Sequence, residues 1–430
     1  MTFLNISKAF LLTIAALGVL AQEEGSTLPD ATAIGAAPPP RKIQRPANCN
    51  TPEVIQPSAP FSVVSGYEAI VVSNTIKNPR SVTVDEANHF LVLAAGDNSI
   101  YSIREDLCGN MSQQLLVNGS KLGGSILQDS LIAFRDHLYV ATGDAVYKFQ
   151  YSPGQHSEIQ SAPEVVIKNI GEKQLPMTID PRGRLFVPKG FSQAATGGSQ
   201  VRQYDLLDVP AGGFDYGNSG EALSAAGNNG AGPLAYDTQG RIWGTNIAAD
   251  GSENLSLFDA NASSNTTVPV GSQTRGIAFY RGLGCSVGDA DSLGTTEGFP
   301  CRWTDHAFLA TRNTGIVHVP FSDLAHAPSG APETIFGQTD ISDCSTGTCI
   351  SPISIAFDQN GRIVTASDTT NEVWMVRRLY NPDAGKILTD KANAADAASE
   401  AKDEAKDAAA EDAKAPKEDA TVPEDSANQE

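Results

Sequence analysis

The sequence predicts an all-β protein, a six-bladed β-propeller, on three observations. A pattern of strand, tight turn, strand, variable loop and strand recurs six times. Several of the turns have the form Asp-x-x-Gly, where Gly tolerates positive φ and Asp can bond the turn backbone. The runs beside them are rich in Val, Ile, Phe and Tyr, as strands are.

The copies can be placed in order. Their first strands are Val82–Val84, Leu131–Ala133, Met177–Ile179, Leu234–Tyr236, Ile277–Phe279 and Ile355–Phe357. Second strands begin at Phe90, Leu138, Leu185, Ile242, Phe308 and Ile363, in steps of 48, 47, 57, 66 and 55 residues. Third strands are Ile100–Ile103, Val146–Phe149, Val201–Tyr204, Leu255–Phe258, Ile316–Val319 and Val373–Val376. A repeat near 50 residues with three or four strands marks a propeller blade. Tyr67–Ser73 is strand-like, precedes the first copy, and is expected to close the ring against the last blade.

The flanks read differently. Lys8, the apolar run Ala9–Leu20 and the small residues of Val19-Leu20-Ala21 predict a signal peptide over 1–21. The apolar run is shorter than the roughly 20 residues a membrane span needs, so no membrane anchor is expected. Residues 22–60, with Pro38-Pro39-Pro40, read as an extended Pro/Ala-rich leader, and 61–380 as the propeller. From Asn381 the chain turns to Ala, Asp, Glu and Lys, with 14 acids against 6 lysines over 383–430. That composition predicts a solvated, helical or disordered acidic tail over 381–430.

The whole chain of 430 residues carries a formal charge of −20, which repels phosphate and argues against nucleic acid as a partner. Its six cysteines show no Cys-x-x-Cys zinc spacing. Local pairing predicts Cys285–Cys301 and Cys344–Cys349, and leaves Cys49–Cys108, out of 15 possible connectivities. Sequons stand at Asn110, Asn118, Asn254, Asn261 and Asn265. Disulfides, sequons and leader together predict a secreted glycoprotein, and a monomer is expected.

Four segments carry a family resemblance: Pro79–Asp85, Val201–Leu206, Gly227-Asn228-Asn229-Gly230 with Leu234–Asp237 behind it, and Ile355–Arg362. They resemble the fungal pyrroloquinoline-quinone (PQQ)-dependent pyranose dehydrogenases, which group with the soluble glucose and sorbosone dehydrogenases. The likeness runs from about Val63 to Arg378. It implies PQQ on the upper face of the propeller, a calcium ion polarising the quinone, and a histidine accepting the sugar hydroxyl proton. Calcium in such a site is held largely by backbone carbonyls. Cys344 and Cys349 stand where the family has a short disulfide loop.

Each implied site residue has a position here. Arg80 stands where the family has a cofactor arginine, and Asn228 and Asn229 where it has Arg-Asn. The family's histidine stretch falls at Ile126-Leu127-Gln128-Asp129, where only Asp129 offers an acid-base group. A further arginine position falls near Lys173, and another near Ile350-Ser351-Pro352. The family's blade-five segment is shortened to Thr311-Arg312-Asn313-Thr314-Gly315, and His318 replaces an arginine. Since PQQ carries three carboxylates, its pocket needs several basic side chains. The pattern therefore predicts a degenerate site, a propeller kept as a scaffold or a binding module for carbohydrate or an extracellular protein. An active PQQ- and calcium-dependent aldose or pyranose oxidoreductase is the alternative. A lactonase-like propeller hydrolase is a third reading, and it needs an acidic calcium cluster in the tunnel.

Overall fold

The computed structural model describes residues 48–50, 52–123, 125, 127–171, 176–188, 201–223, 231–247, 252–258, 267–271, 273–287, 294–312, 314–339 and 349–380. The expected signal peptide, most of the leader and the acidic tail lie outside these residues.

Six sheets form the blades, antiparallel but for one short added edge strand. Blade one is Pro79–Val84, Phe90–Ala94, Ser99–Glu105 and Met111–Asn118. Blade two is Leu127–Phe134, His137–Thr142, Val146–Gln150 and Glu164–Lys168, with Phe214–Asp215 added parallel to its outer edge. Blade three is Thr178–Ile179, Arg184–Pro188, Val201–Asp205 and Glu221–Leu223. Blade four is Ala231–Tyr236, Ile242–Ile247, Glu253–Phe258 and Thr267–Gly271. Blade five is Thr274–Phe279, Ala307–Thr311, Gly315–Val319 and Glu333–Gln338. Blade six is Pro352–Phe357, Ile363–Ser367 and Glu372–Arg378, completed by Tyr67–Ser73 as its outer strand.

The ring thus closes by pairing an early strand with the last blade, as the strand-like run 67–73 predicts. Tyr67 sits opposite Arg378 and Val71 opposite Trp374. Phe61–Val63 does a second, unexpected job as a fifth strand on blade five, with Phe61 opposite Gln338. The sequence reading finds three strands per blade and misses the fourth in blades one to five. Each missed strand lies on the outer side of its blade, beyond the third strand. Met111–Asn118, for example, is a mostly polar run on its exposed side, and offers little apolar alternation to read.

The core lies between blades. Val82, Phe90 and Val92 of blade one pack with Val364, Val373 and Met375 of blade six. Trp243 and Leu255 of blade four pack with Phe279, Leu309 and Val317 of blade five. Near the axis, the first strands of blades five and six approach so closely that a Cβ on Gly276 would lie 2.9 Å from the Cα of Ser354. Only glycine fits there.

The Asp-x-x-Gly turns join first to second strands, and the Asp does more than turn the chain. Asp180, Asp237 and Asp358 each accept backbone N–H bonds from residues two and four ahead through Oδ1. Oδ2 then receives the arginine four residues on, Arg184, Arg241 or Arg362, at 2.6 to 2.7 Å. Gly183, Gly240 and Gly361 hold φ of 87°, 76° and 75°. Blade one has Asn88 at φ 66° in the glycine's place and His89 in the arginine's.

The part of the predicted leader that is described is docked instead of free. Cys49 is bonded to Cys108, Ile55 bridges to Val71, and the backbone N–H of Ser58 donates to Oε1 of Glu372 at 2.7 Å. The second local pair, Cys285–Cys301, is also formed. Cys349 is disulfide-bonded, while Cys344 lies outside the described residues.

Candidate functional site

The two faces of the ring differ in what they carry. The lower face holds the first-to-second-strand turns. The upper face holds the second-to-third-strand hairpins and the links from one blade to the next. Between them runs a central cavity of about 300 Å³, walled by the first strands of all six blades. Its walls include Val82, Leu131, Met177, Leu234, Ile277 and Ile355. At the lower end the Arg281 guanidinium lies 4.0 Å from the Tyr236 ring centre.

On the upper face, three charged side chains from three blades converge. Arg80 comes from the first strand of blade one, Arg312 follows the second strand of blade five, and Asp368 follows the second strand of blade six. Both arginines donate to the same oxygen, Oδ2 of Asp368, at 3.1 Å from Arg80 and 2.6 Å from Arg312. Arg312 Nε also reaches Ser351 Oγ at 3.3 Å. The arginine side chains keep 27% and 35% of their surface, whereas Asp368 keeps 5%. Oδ1 of Asp368 is buried with no hydrogen-bond partner among the described residues.

A third arginine stands at the strand position equivalent to Arg80 and escapes the sequence reading. In blade five Thr274 pairs with Thr311 and Gly276 with Ala310, with Arg275 in the bulge between. In blade one Pro79 pairs with Ala94 and Ser81 with Leu93, with Arg80 in the bulge. Arg275 is therefore the blade-five counterpart of Arg80, and it is only half-buried. The signal was available. Aligning Arg275-Gly276-Ile277 with Arg80-Ser81-Val82 in the repeat register would have found it.

Of the sequence-derived site residues, Arg80, Arg312 and Ser351 meet at this rim. Asp129 lies on the first strand of blade two, at the position matching Arg80. Asn228, Asn229, Lys173 and Asn313 lie outside the described residues.

All six histidines of the chain are described, and all lie towards the lower face. His89 and His137 start or precede second strands at the lower turns. His156 and His326 sit in links between third and outer strands, His326 with Nδ1 3.3 Å from Asp305. His89 and His156 share the buried Ser102 hydroxyl, at 3.3 and 3.0 Å. Burial lowers the pKa of both. His306 Nδ1 lies 2.8 Å from His318 Nε2, and the His318 ring stacks on Trp303 at 4.3 Å. Burial, reinforced by His306 and Arg302, pushes His318 down to about 3. His318, the candidate replacing an arginine, is thus a packed, neutral imidazole opposite Phe308, away from the arginine rim.

Among the described residues the fit to PQQ is poor. A tricarboxylate needs several unengaged cations, and Arg80 and Arg312 are both drawn onto Asp368, which leaves Arg275. A proton acceptor at the upper face would have to be a group other than histidine.

A family model described as TrAA12-like matches residues 61–265 and 313–379. The pyrroloquinoline quinone-dependent sugar dehydrogenase of Hypocrea jecorina is 22% identical over 410 residues, covering 79% of this chain and 94% of that protein. Among solved structures, the holo PQQ domain of pyranose dehydrogenase from Coprinopsis cinerea superposes with a TM-score of 0.58 at 15% identity, over 77% of this chain and 99% of that one. The calcium structure of a Trichoderma reesei family AA12 carbohydrate-active enzyme gives 0.56 at 17% identity, over 76% and 99%.

Proposed function

This chain belongs to the TrAA12-like family, and from that premise we propose that it is a secreted propeller without quinone-dependent turnover. It serves as an extracellular binding module for carbohydrate or a protein partner, and works as a monomer. The observation that carries this reading is the distribution of histidine: six in the chain, none at the arginine rim. Loss of a general base typically slows a proton-coupled step by about 10²–10⁴. Secretion is supported by the disulfides and by the sequon residue Asn110, which lies exposed in the turn after Cys108. Asn118 is also exposed and Asn254 is half-buried on a strand, while Asn261 and Asn265 lie outside the described residues.

One observation favours the second reading, a PQQ- and calcium-dependent sugar dehydrogenase. Arg275 adds a third guanidinium to the blades that carry Arg80 and Arg312. A lactonase-like hydrolase has no such support, since no cluster of three metal-ligating side chains exists among the described residues.

The deciding experiment titrates the purified full-length chain with PQQ in the presence of calcium, then assays dye reduction with a panel of aldoses. No turnover, together with retention on immobilised polysaccharide or capture of a defined extracellular partner, is expected. Saturable PQQ binding with aldose-dependent dye reduction would replace this reading with the second.

A further inference from the structure

We propose that Asp368 is a built-in counter-anion that holds the upper-face arginine pair closed to small polycarboxylates, and that it is the residue deciding anion specificity at this rim. The inference rests on the reading of a propeller without turnover and names what keeps its upper face from taking an anionic ligand.

Two independent features carry it. The first is convergence: guanidiniums from blades five and one end on one carboxylate from blade six, at 2.6 and 3.1 Å. Such a carboxylate occupies the place an anionic ligand would take between two partly exposed arginines. The second is the way Asp368 is used. Both arginines crowd onto Oδ2, and the buried Oδ1 has no hydrogen-bond partner among the described residues. A carboxylate held only for stability is best served by the two-oxygen fork that arginine matches. Here half of its accepting capacity is idle, so a ligand carboxylate able to meet both guanidiniums squarely would do better than Asp368 does.

The hairpin that presents Asp368 is well anchored. Ser351 N–H donates to Ser367 Oγ at 3.0 Å, Thr370 Oγ1 to Ser367 Oγ at 2.8 Å, and Asn78 N–H to Asn371 Oδ1 at 2.7 Å. Asp368 is therefore fixed between the arginines by its own hairpin. Removing its charge takes the local sum of the three groups from +1 to +2, in a chain whose overall charge is −20.

The test uses PQQ and citrate separately as probes, by titration calorimetry at low salt, on the full-length protein, Asp368→Asn, and Asp368→Asn with Arg312→Gln. Thermal unfolding of each variant checks the fold. The wild-type protein is expected to show no saturation below about 1 mM. Asp368→Asn is expected to bind both probes at least about tenfold tighter, the worth of one charged hydrogen bond or less, and the double variant to lose that gain. A folded Asp368→Asn that binds no better, or a double variant that keeps the gain, overturns the proposal. Should Asp368→Asn not fold, Asp368→Ser with Arg80→Gln keeps the local sum at +1 and releases Arg312 alone. A smaller gain is then expected, and no gain overturns it. Wild-type protein that binds PQQ and reduces dye sinks the functional reading first. A silent wild type with a silent Asp368→Asn sinks this inference alone.

Discussion

Two ion clusters at opposite faces of blade six are near inversions of each other. At the lower face Arg362, 1% exposed, is surrounded by three acids: Asp358 at 2.6 Å, Glu105 at 2.6 Å and Glu297 at 3.1 Å. At the upper face one buried acid, Asp368, is flanked by two arginines that remain a quarter to a third exposed. The lower cluster joins the turn of blade six to the third strand of blade one and to the segment between the first two strands of blade five, where Glu297 lies. Its cation cannot leave without stranding Asp358 in the interior. The upper cluster joins the same blades, but its cations keep contact with water. Equal chemistry thus has unequal consequences: burial makes one cluster a rivet, and exposure leaves the other open to competition from solution.

The comparison can be broken by variants on each side. Arg362→Met is expected to have the largest effect, costing about 3–5 kcal/mol because a buried carboxylate loses its partner. The midpoint of urea unfolding measures it, and a loss no greater than that of an upper-face variant would erase the distinction. Cys49→Ser with Cys108→Ser frees the leader from the lower-face hairpin of blade one, and is expected to cost about 2–4 kcal/mol, read as a fall in Tm.

The lower face also predicts a pH dependence. His318 has its pKa pushed down to about 3 in the fold, while the unfolded chain titrates near the ordinary value of about 6.5. The stability that His318 contributes is complete above about pH 6.5 and is lost as the pH drops towards 3, because over that window only the unfolded chain takes up the proton. The steepest slope is about 1.4 kcal/mol per pH unit. His318→Phe keeps the stack on Trp303 and should flatten the plot of Tm against pH over that window. An unchanged slope would assign the acid sensitivity to another group. The smallest effect is expected at the upper face. Arg80→Gln leaves Arg312 on Asp368, and for a partly exposed pair the loss is below about 1 kcal/mol.

Legibility in the sequence followed burial. The first three strands of each blade are legible because their side chains meet neighbouring blades, as Phe90, Val92 and Val364 do. Outer strands such as Met111–Asn118 were missed because they are largely polar and partly solvated. Within the candidate site, Arg80 was legible from its place in Pro79-Arg80-Ser81, and Arg312 from the shortened segment in blade five. Asp368 was not, because Ser367-Asp368-Thr369 reads as an ordinary polar hairpin. Its role depends on arginines 288 and 56 residues away in the chain. The same applies to His318, whose sequence position suggested a replaced arginine but whose surroundings are Trp303 and His306.

What the amino-acid sequence by itself determined is the repeat: six blades, their turns, the closing strand and the local disulfide. Each of these depends on neighbours in the chain or on a pattern repeated along it. What only the tertiary structure decided is the pairing of charges across blades, the docking of residues 52–60, and the face on which each histidine lies. Those outcomes depend on which side chains the ring brings within a few ångströms, and a coulombic contact between distant segments leaves no periodic mark in either of them.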